Sequence, residues 1–144
     1  MSCKHRKTWL FEKIDALCNS SILEIDRYSK YESGWDGYDG CIFSDNAIII
    51  SSAAIGAIKS ALVNSGKVPE VLEPGPASDG SIDIYLNVNG NNFTFVIYPD
   101  NESIDCFLEN SSKNHKQRTE IDLEHLERFV LWAIGENGEY SGKD

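Results

Sequence analysis

Residues 82–88 read IDIYLNV, and this stretch decides the fold class of the 144-residue chain. Its apolar side chains alternate with polar or aromatic ones, which is the two-residue period of a half-buried β-strand. Asn89-Gly90 follows at once, and this dipeptide is a strong signal for a hairpin turn. Two further alternating stretches, residues 93–98 and 104–108, are separated by a turn at residues 99–101. The chain is therefore expected to contain an antiparallel β-meander of three strands or slightly more.

Two helices are predicted before the meander. Apolar residues at helical spacing indicate a first helix from about residue 7 to 30, which Asn19-Ser20-Ser21 would interrupt. A second helix should begin at an N-cap, Ser44 or Asp45, and end near residue 64. Gly66 is placed to terminate it, because glycine readily takes the left-handed conformation that ends helices.

The remaining segments complete the predicted architecture. Prolines at positions 69, 74 and 76 predict an extended, irregular connection over residues 68–78, since proline fixes its own φ angle and disfavours helix in the residue before it. A polar loop is expected at residues 109–118, followed by a last helix from about residue 121 to 134. The prediction is one α+β domain, residues 1–144, in which a meander packs with two N-terminal helices and one C-terminal helix. Its ends, residues 1–6 and 139–144, are expected to be frayed.

The two faces of the predicted sheet differ in chemistry. Helices should cover the apolar face, formed by Ile82, Ile84, Leu86, Phe93, Phe95, Ile97 and Cys106. The opposite face would carry Asp83, Tyr85, Asn87, Thr94, Val96, Tyr98, Asp105 and Phe107. Aromatic and acidic groups together are typical of interaction surfaces, and the alternative is that the last helix covers this face.

Charge is distributed unevenly along the chain. The net charge is -10, from 23 acidic and 13 basic residues. Residues 68–112 contain no lysine or arginine, and their acids are Glu70, Glu73, Asp79, Asp83, Asp100, Glu102, Asp105 and Glu109. Such a segment repels a phosphate backbone, so direct nucleic-acid binding is not expected. A protein partner with a basic surface is expected instead.

Composition and sequence patterns also indicate where in the cell the protein is expected. With 41% hydrophobic and 25% charged residues the chain is too apolar for intrinsic disorder. It contains no recognisable secretory signal and no apolar run near the roughly 20 residues that span a bilayer, so we expect a cytoplasmic protein without membrane binding. Four scattered cysteines, at positions 3, 18, 41 and 106, should be reduced, and no cofactor is expected.

Two motifs, in this order, resemble a family of uncharacterised bacterial proteins. In that family a Gly-Trp-Asp-Gly loop precedes a helix, and a proline-flanked Asp-Gly turn opens a β-meander. Here the loop is Gly34-Trp35-Asp36-Gly37, followed by Tyr38-Asp39-Gly40, and the turn is Asp79-Gly80, preceded by Pro74 and Pro76. The resemblance covers about residues 31–108, with Leu86 where the family usually has tryptophan. It implies the same fold and no established activity.

The glycine-rich loop is the first candidate for a site. Asp36 and Asp39, with Asp79, would offer carboxylate oxygens to a hard cation such as calcium. The structural interpretation has Trp35 packed in the core and Asp36 capping local backbone amides. Because the EF-hand pattern is absent, we predict a structural loop without a metal. A metal-dependent enzyme or ion-binding domain is the second functional hypothesis.

No catalytic constellation emerges, since His5, His115 and His125 lie in polar surroundings and the P-loop, HExxH and GxSxG motifs are absent. The leading hypothesis is therefore a non-enzymatic, acidic protein-interaction module. Its predicted binding residues are Asp83, Tyr85, Tyr98, Asp105 and Phe107. In its sharper form, the module is an inhibitor or accessory protein of a basic nucleic-acid-binding partner in a phage or mobile element. A self-associating structural domain, a homo-oligomer, is the third hypothesis.

Overall fold

Three helices and five strands follow one another in a computed structural model that describes residues 3–110 and 115–135. The elements are α1 (Cys3–Tyr28), α2 (Asp45–Ser65), β1 (Val71–Pro76), β2 (Ile82–Val88), β3 (Asn91–Ile97), β4 (Ser103–Asn110), β5 (His115–Asp122) and α3 (Leu123–Ile134). The strands form one antiparallel sheet in the order β1-β2-β3-β4-β5. The predicted α+β class is confirmed, and the meander has five strands.

The turn between β2 and β3 sets the pairing of the sheet. Asn89 and Gly90 have φ angles of 52° and 80°, so both lie in the left-handed region that a tight two-residue hairpin requires. The residues on either side of this turn, Val88 and Asn91, are direct partners. From there the register continues to Ile82 opposite Ile97.

The two outer strands were not predicted. The segment expected to be an irregular connection contains β1, which tolerates Pro74 and Pro76 because it lies at the edge of the sheet. The segment expected to be a polar loop contains the end of β4 and the first half of β5; residues 111–114 lie outside the described part of the chain. β5 reads HKQRTEID, and its polar side chains on both faces conceal the alternation that marks a half-buried strand.

The helices differ from prediction mainly in their limits. α1 is one uninterrupted helix, and the buried Ser21 hydroxyl donates to the Leu17 carbonyl at 3.0 Å and to the Leu72 carbonyl of β1 at 3.3 Å. The serine predicted to break the helix therefore ties it to the sheet. Residues 3–6, expected to be frayed, belong to α1, whereas residues 139–144 lie outside the described part of the chain.

All three helices pack on one face of the sheet. α2 lies between α1 and α3, and α1 also contacts β1. The sheet contributes to this core the apolar residues predicted to face the helices: Ile82, Ile84, Leu86, Phe93, Phe95, Ile97 and Cys106. The opposite face of the sheet is consequently not covered by a helix of residues 3–110 or 115–135.

α2 is the most apolar helix. By length and composition alone it could cross a membrane, so the expectation that the chain has no apolar stretch of this length is wrong. Its buried residues are Ala47, Ser51, Ala54, Ile55, Ile58, Ala61 and Leu62. Because these side chains pack in the hydrophobic core, the position of α2 between two helices and the sheet accounts for its composition.

The ends of α2 are those predicted. Ser44 is the N-cap, and its hydroxyl oxygen accepts a hydrogen bond from the Ala47 N–H at 3.0 Å. The same hydroxyl donates to the Pro99 carbonyl at 2.6 Å, which joins the helix to the turn after β3. Gly66, with φ 68°, ends the helix in the left-handed conformation.

Replacing the N-cap serine should destabilise the fold. Because Ser44→Ala removes both hydrogen bonds, we expect the free energy of unfolding to fall by about 1–2 kcal/mol. Urea denaturation followed by circular dichroism measures this change. Ser52→Ala, a substitution of the same chemistry inside α2, should change the unfolding free energy by less than about 0.5 kcal/mol. Equal effects of the two substitutions would contradict the capping role.

Candidate interaction surface

The sheet face that carries no helix, called the open face below, is organised by the strand register. Side chains from all five strands line up across it in three rows. The central row is Glu73, Tyr85, Thr94, Phe107 and Arg118; one outer row is Gly75, Asp83, Val96, Asp105 and Glu120; the other is Val71, Asn87, Asn92, Glu109 and Lys116. The open face thus combines aromatic, acidic and basic groups.

Three of the predicted binding residues lie together on the open face. Tyr85 and Phe107 are 39% and 42% exposed, and both belong to the central row. Asp83 is half-buried beside Tyr85. The alternative prediction, that the last helix covers this face, is wrong because α3 packs against α2 on the other side of the sheet.

Asp105 reaches the same face but is buried. Its carboxylate accepts hydrogen bonds from the Tyr98 hydroxyl at 2.7 Å and from the Arg118 guanidinium at 3.0 Å. These two bonds lower the pKa of the Asp105 carboxyl below its ordinary value. Tyr98 and Asp105 are therefore brought together as predicted, but their polar atoms are used within the fold.

β5 changes the charge of the open face relative to the prediction. Because β5 was expected to be a loop, the acidic face was predicted without basic residues; Lys116 and Arg118 in fact lie on it, next to β4. The Arg118 guanidinium also lies 5.6 Å from the centre of the Phe107 ring, a cation–π contact. The negative charge is thus partly balanced at the β5 side, whereas no basic residue of the described part of the chain forms an ion pair at the β1–β2 side.

At the β1–β2 side, Asp83 lacks a basic neighbour. Its carboxylate accepts a hydrogen bond from the Tyr85 hydroxyl at 3.1 Å. Burial raises the pKa of the Asp83 carboxyl, and the nearby negative charge of Asp79 raises it further. Within residues 3–110 and 115–135, neither of these aspartates nor Glu73 forms an ion pair. We call Glu73, Asp79, Asp83 and Tyr85 the acidic corner.

Gly75 holds the Tyr85 ring in place. A β-carbon added at Gly75 would lie 3.1 Å from the Tyr85 ring, so the ring packs directly over the glycine backbone of β1. The absence of a side chain at position 75 therefore leaves room for the Tyr85 ring beside the neighbouring strand. In this position the phenol hydroxyl donates to Asp83, and the side chain remains 39% exposed.

The glycine-rich loop has the structural role that one interpretation predicted. The Asp36 carboxylate accepts hydrogen bonds from the backbone N–H groups of Tyr38 at 2.9 Å and Gly40 at 3.0 Å. Trp35 donates through its indole N–H to the Cys41 carbonyl at 2.8 Å. Its ring packs on Phe43, with centroids 5.5 Å apart. Gly34 and Gly37, with φ angles of 78° and 85°, supply the left-handed turns.

The aspartates considered for a metal site are not brought together. Besides Asp36, Asp79 accepts hydrogen bonds from the backbone N–H and hydroxyl of Ser81, at 3.0 Å and 2.5 Å, which lower the pKa of its carboxyl. Among the described residues, the group close enough to share an ion is Asp122, Glu124 and His125. This group lies at the N-terminus of α3, where the positive end of the helix dipole disfavours a cation.

The Asp105–Arg118 pair should make stability depend on pH. A carboxyl whose pKa is lowered by folding stabilises the protein at neutral pH, and this contribution is lost as the pH falls through the lowered pKa. We expect Asp105→Asn to reduce the unfolding free energy at pH 7 by about 1–2 kcal/mol. The difference from the unmodified protein should begin to shrink below about pH 4, where the carboxyl of the unfolded chain becomes protonated, and should disappear as the pH falls through the lowered pKa of the folded state. Urea denaturation at several pH values measures this difference in unfolding free energy. Glu109→Gln, at an exposed position, is the control. A difference that does not depend on pH would contradict the role of the ion pair.

The comparisons add no functional information. Neither a known protein family, nor a curated protein, nor a solved structure matches this chain. The function is therefore inferred from the geometry of the open face.

Proposed function

We propose that this chain is a non-enzymatic protein-interaction module that binds a basic surface of another protein through its acidic corner. The observation that carries the proposal is the Asp83 carboxylate, which is half-buried, has a raised pKa and lacks a basic neighbour in the described part of the chain. A lysine or arginine from a partner would supply the missing counter-charge. Binding would then stabilise the charged form of Asp83.

Tyr85 adds a second element of recognition. Its ring packs beside Gly75 and is 39% exposed, so it offers an aromatic surface to a partner. Arginine stacks on such rings while its guanidinium forms hydrogen bonds with a neighbouring carboxylate. Asp83 lies within hydrogen-bonding distance of the Tyr85 hydroxyl, which places both groups within reach of one arginine side chain. The acidic corner therefore suits arginine better than lysine.

The overall charge favours the encounter with such a partner. The chain carries a net charge of -10, and Glu73 and Asp79 extend the negative region around Asp83. Long-range attraction of this kind raises the rate of association with a basic protein and is weakened by salt. In the sharper form of the proposal, the partner's basic surface is its nucleic-acid-binding site. The chain would then act as an inhibitor, or an accessory protein, in a phage or mobile element.

Charge reversal at the acidic corner tests the proposal. The probe is an arginine-rich peptide, and binding is followed by isothermal titration calorimetry and by NMR shifts of backbone amides. We expect the shifts to concentrate on β1 and β2, and Asp83→Lys to weaken binding by about tenfold or more, because it places a cation where the peptide's cation binds. Glu12→Lys, at an exposed position of α1, changes the net charge equally and should weaken binding by less than about threefold.

Two outcomes would contradict the proposal. If Asp83→Lys and Glu12→Lys weaken binding equally, the peptide responds only to net charge. If Asp83→Lys leaves affinity unchanged, the acidic corner is not the binding surface. For a partner identified in the source cells, the same pair of variants applies, and displacement of a fluorescent DNA from that partner distinguishes an inhibitor from an accessory protein.

A further inference from the structure

The two edges of the sheet are built differently. In an antiparallel pair, directly opposed residues alternate between pairs that exchange backbone hydrogen bonds and pairs that do not. A strand therefore directs the N–H and C=O groups of alternate residues toward each of its two sides. At an edge strand, one of these two sets points away from the sheet.

The hairpin at Asn89-Gly90 establishes which set points outward. In a two-residue hairpin the flanking residues, Val88 and Asn91, exchange hydrogen bonds, so odd-numbered residues of β3 bond to β2 and even-numbered ones to β4. The registers of the following strands continue without interruption, so the same alternation holds in them. Odd residues of β4 bond to β3, and even residues of β4 bond to β5. The odd residues of β5 thus bond to β4. Its even residues, Lys116, Arg118, Glu120 and Asp122, direct their backbone groups outward.

At the β1 edge the outward positions are partly blocked. By the same alternation, odd residues of β1 bond to β2, and residues 72, 74 and 76 point outward. The Ala77 N–H, at the next odd position, accordingly donates to the Ser81 carbonyl just before β2, at 3.0 Å. Two of the three are prolines, which have no N–H to donate. The carbonyl of the third, Leu72, accepts the hydrogen bond from Ser21 of α1. This edge therefore lacks two of its three outward N–H groups and is poorly suited to pairing with another strand.

At the β5 edge the outward positions are available. Lys116, Arg118 and Glu120 are exposed, and their outward N–H and C=O groups have no backbone partner within residues 3–110 and 115–135. β5 also contains no proline. At the β1 edge, prolines remove two outward N–H groups and Ser21 occupies one carbonyl, whereas at the β5 edge the outward donors and acceptors have no backbone partner among the described residues.

We propose that β5 pairs antiparallel with β5 of a second copy of this chain, with Thr119 at the two-fold axis. In this register Lys116 lies opposite Asp122 of the partner copy, and Arg118 lies opposite Glu120. All four positions belong to the outward set, so the pairing satisfies the backbone hydrogen bonds as well as the charges. The sequence of β5 is thus self-complementary about its centre, with two basic residues before Thr119 and two acidic residues after it.

Neighbouring registers are disfavoured by the same charges. Two β5 strands can form backbone hydrogen bonds only where outward-pointing residues lie opposite one another. The two-fold axis can therefore move only between registers that keep this pairing. An axis at position 118 would place Arg118 opposite itself, and an axis at position 120 would do the same for Glu120. Directly opposed like charges destabilise a strand pair. The register centred on Thr119 avoids both contacts.

The pairing would join two five-stranded sheets into one continuous sheet. Because the two-fold axis runs perpendicular to the sheet, both open faces lie on the same side. The homodimer would therefore present two acidic corners to one partner, although the pairing itself does not depend on the proposed function.

A charge-swapped pair of variants tests the register. Lys116→Asp should weaken self-association of the full chain by about tenfold or more, since it places two aspartates opposite each other at both symmetric sites. Asp122→Lys should do the same with two lysines. An equimolar mixture should restore the dimer, because each aspartate then meets a lysine. Analytical ultracentrifugation over a range of concentrations measures the association, and Lys30→Asp, outside the sheet, is the matched control.

Amide hydrogen exchange supplies an independent readout. The outward N–H groups of Arg118 and Glu120 should exchange more slowly as the protein concentration rises, whereas in the Lys116→Asp variant they should exchange rapidly at every concentration. A chain that stays monomeric up to about 1 mM would overturn the proposal. So would a dimer that neither variant weakens, or one in which these two amides remain unprotected.

Discussion

The two-residue turn at Asn89 and Gly90 determines, for every strand of the sheet, which residues form hydrogen bonds with which neighbouring strand. The left-handed φ angles of this turn make Val88 and Asn91 a bonded pair, and the registers of β3, β4 and β5 continue without interruption from it. Side-chain direction alternates in step with this pattern of hydrogen bonds. The same turn therefore decides which residues enter the core, which form the open face and which backbone groups point outward at the edges.

The core depends on this constraint through α2. The apolar residues of β2 and β3 all reach one face, where α2 covers them between α1 and α3. A shift of one residue in the register would turn these side chains toward solvent and bring Asp83 and Tyr85 into the core. The Ser44 cap and the Ser21 hydrogen bond hold the helices at this face through contacts with the turn after β3 and with β1.

On the open face, two aspartates in the same row have opposite surroundings. Asp105 is buried, and Tyr98 and Arg118 provide the hydrogen bonds that lower the pKa of its carboxyl. Asp83 accepts a hydrogen bond from the Tyr85 hydroxyl, and burial raises the pKa of its carboxyl. The difference arises because β5 contributes basic residues to one side of the sheet, while β1 contributes Glu73 and a glycine to the other. An ion pair between a buried carboxylate and an exposed guanidinium stabilises the fold at one aspartate, and the other has no ion-pair partner among the described residues.

The sequence by itself determined the local features: the alternating strands around Asn89-Gly90, the cap at Ser44, the end of α2 at Gly66 and the capping role of Asp36. Each depends on residues close together in the chain, so short-range patterns are sufficient to predict it. Only the tertiary structure decided that β1 and β5 are strands, because their backbones pair with residues of other strands and their side chains carry no clear alternation. The placement of Arg118 beside Asp105, and the absence of a basic residue beside Asp83 among the described residues, follow from that pairing. Contacts between distant parts of the chain depend on the register of the strands, and a local sequence pattern does not specify that register.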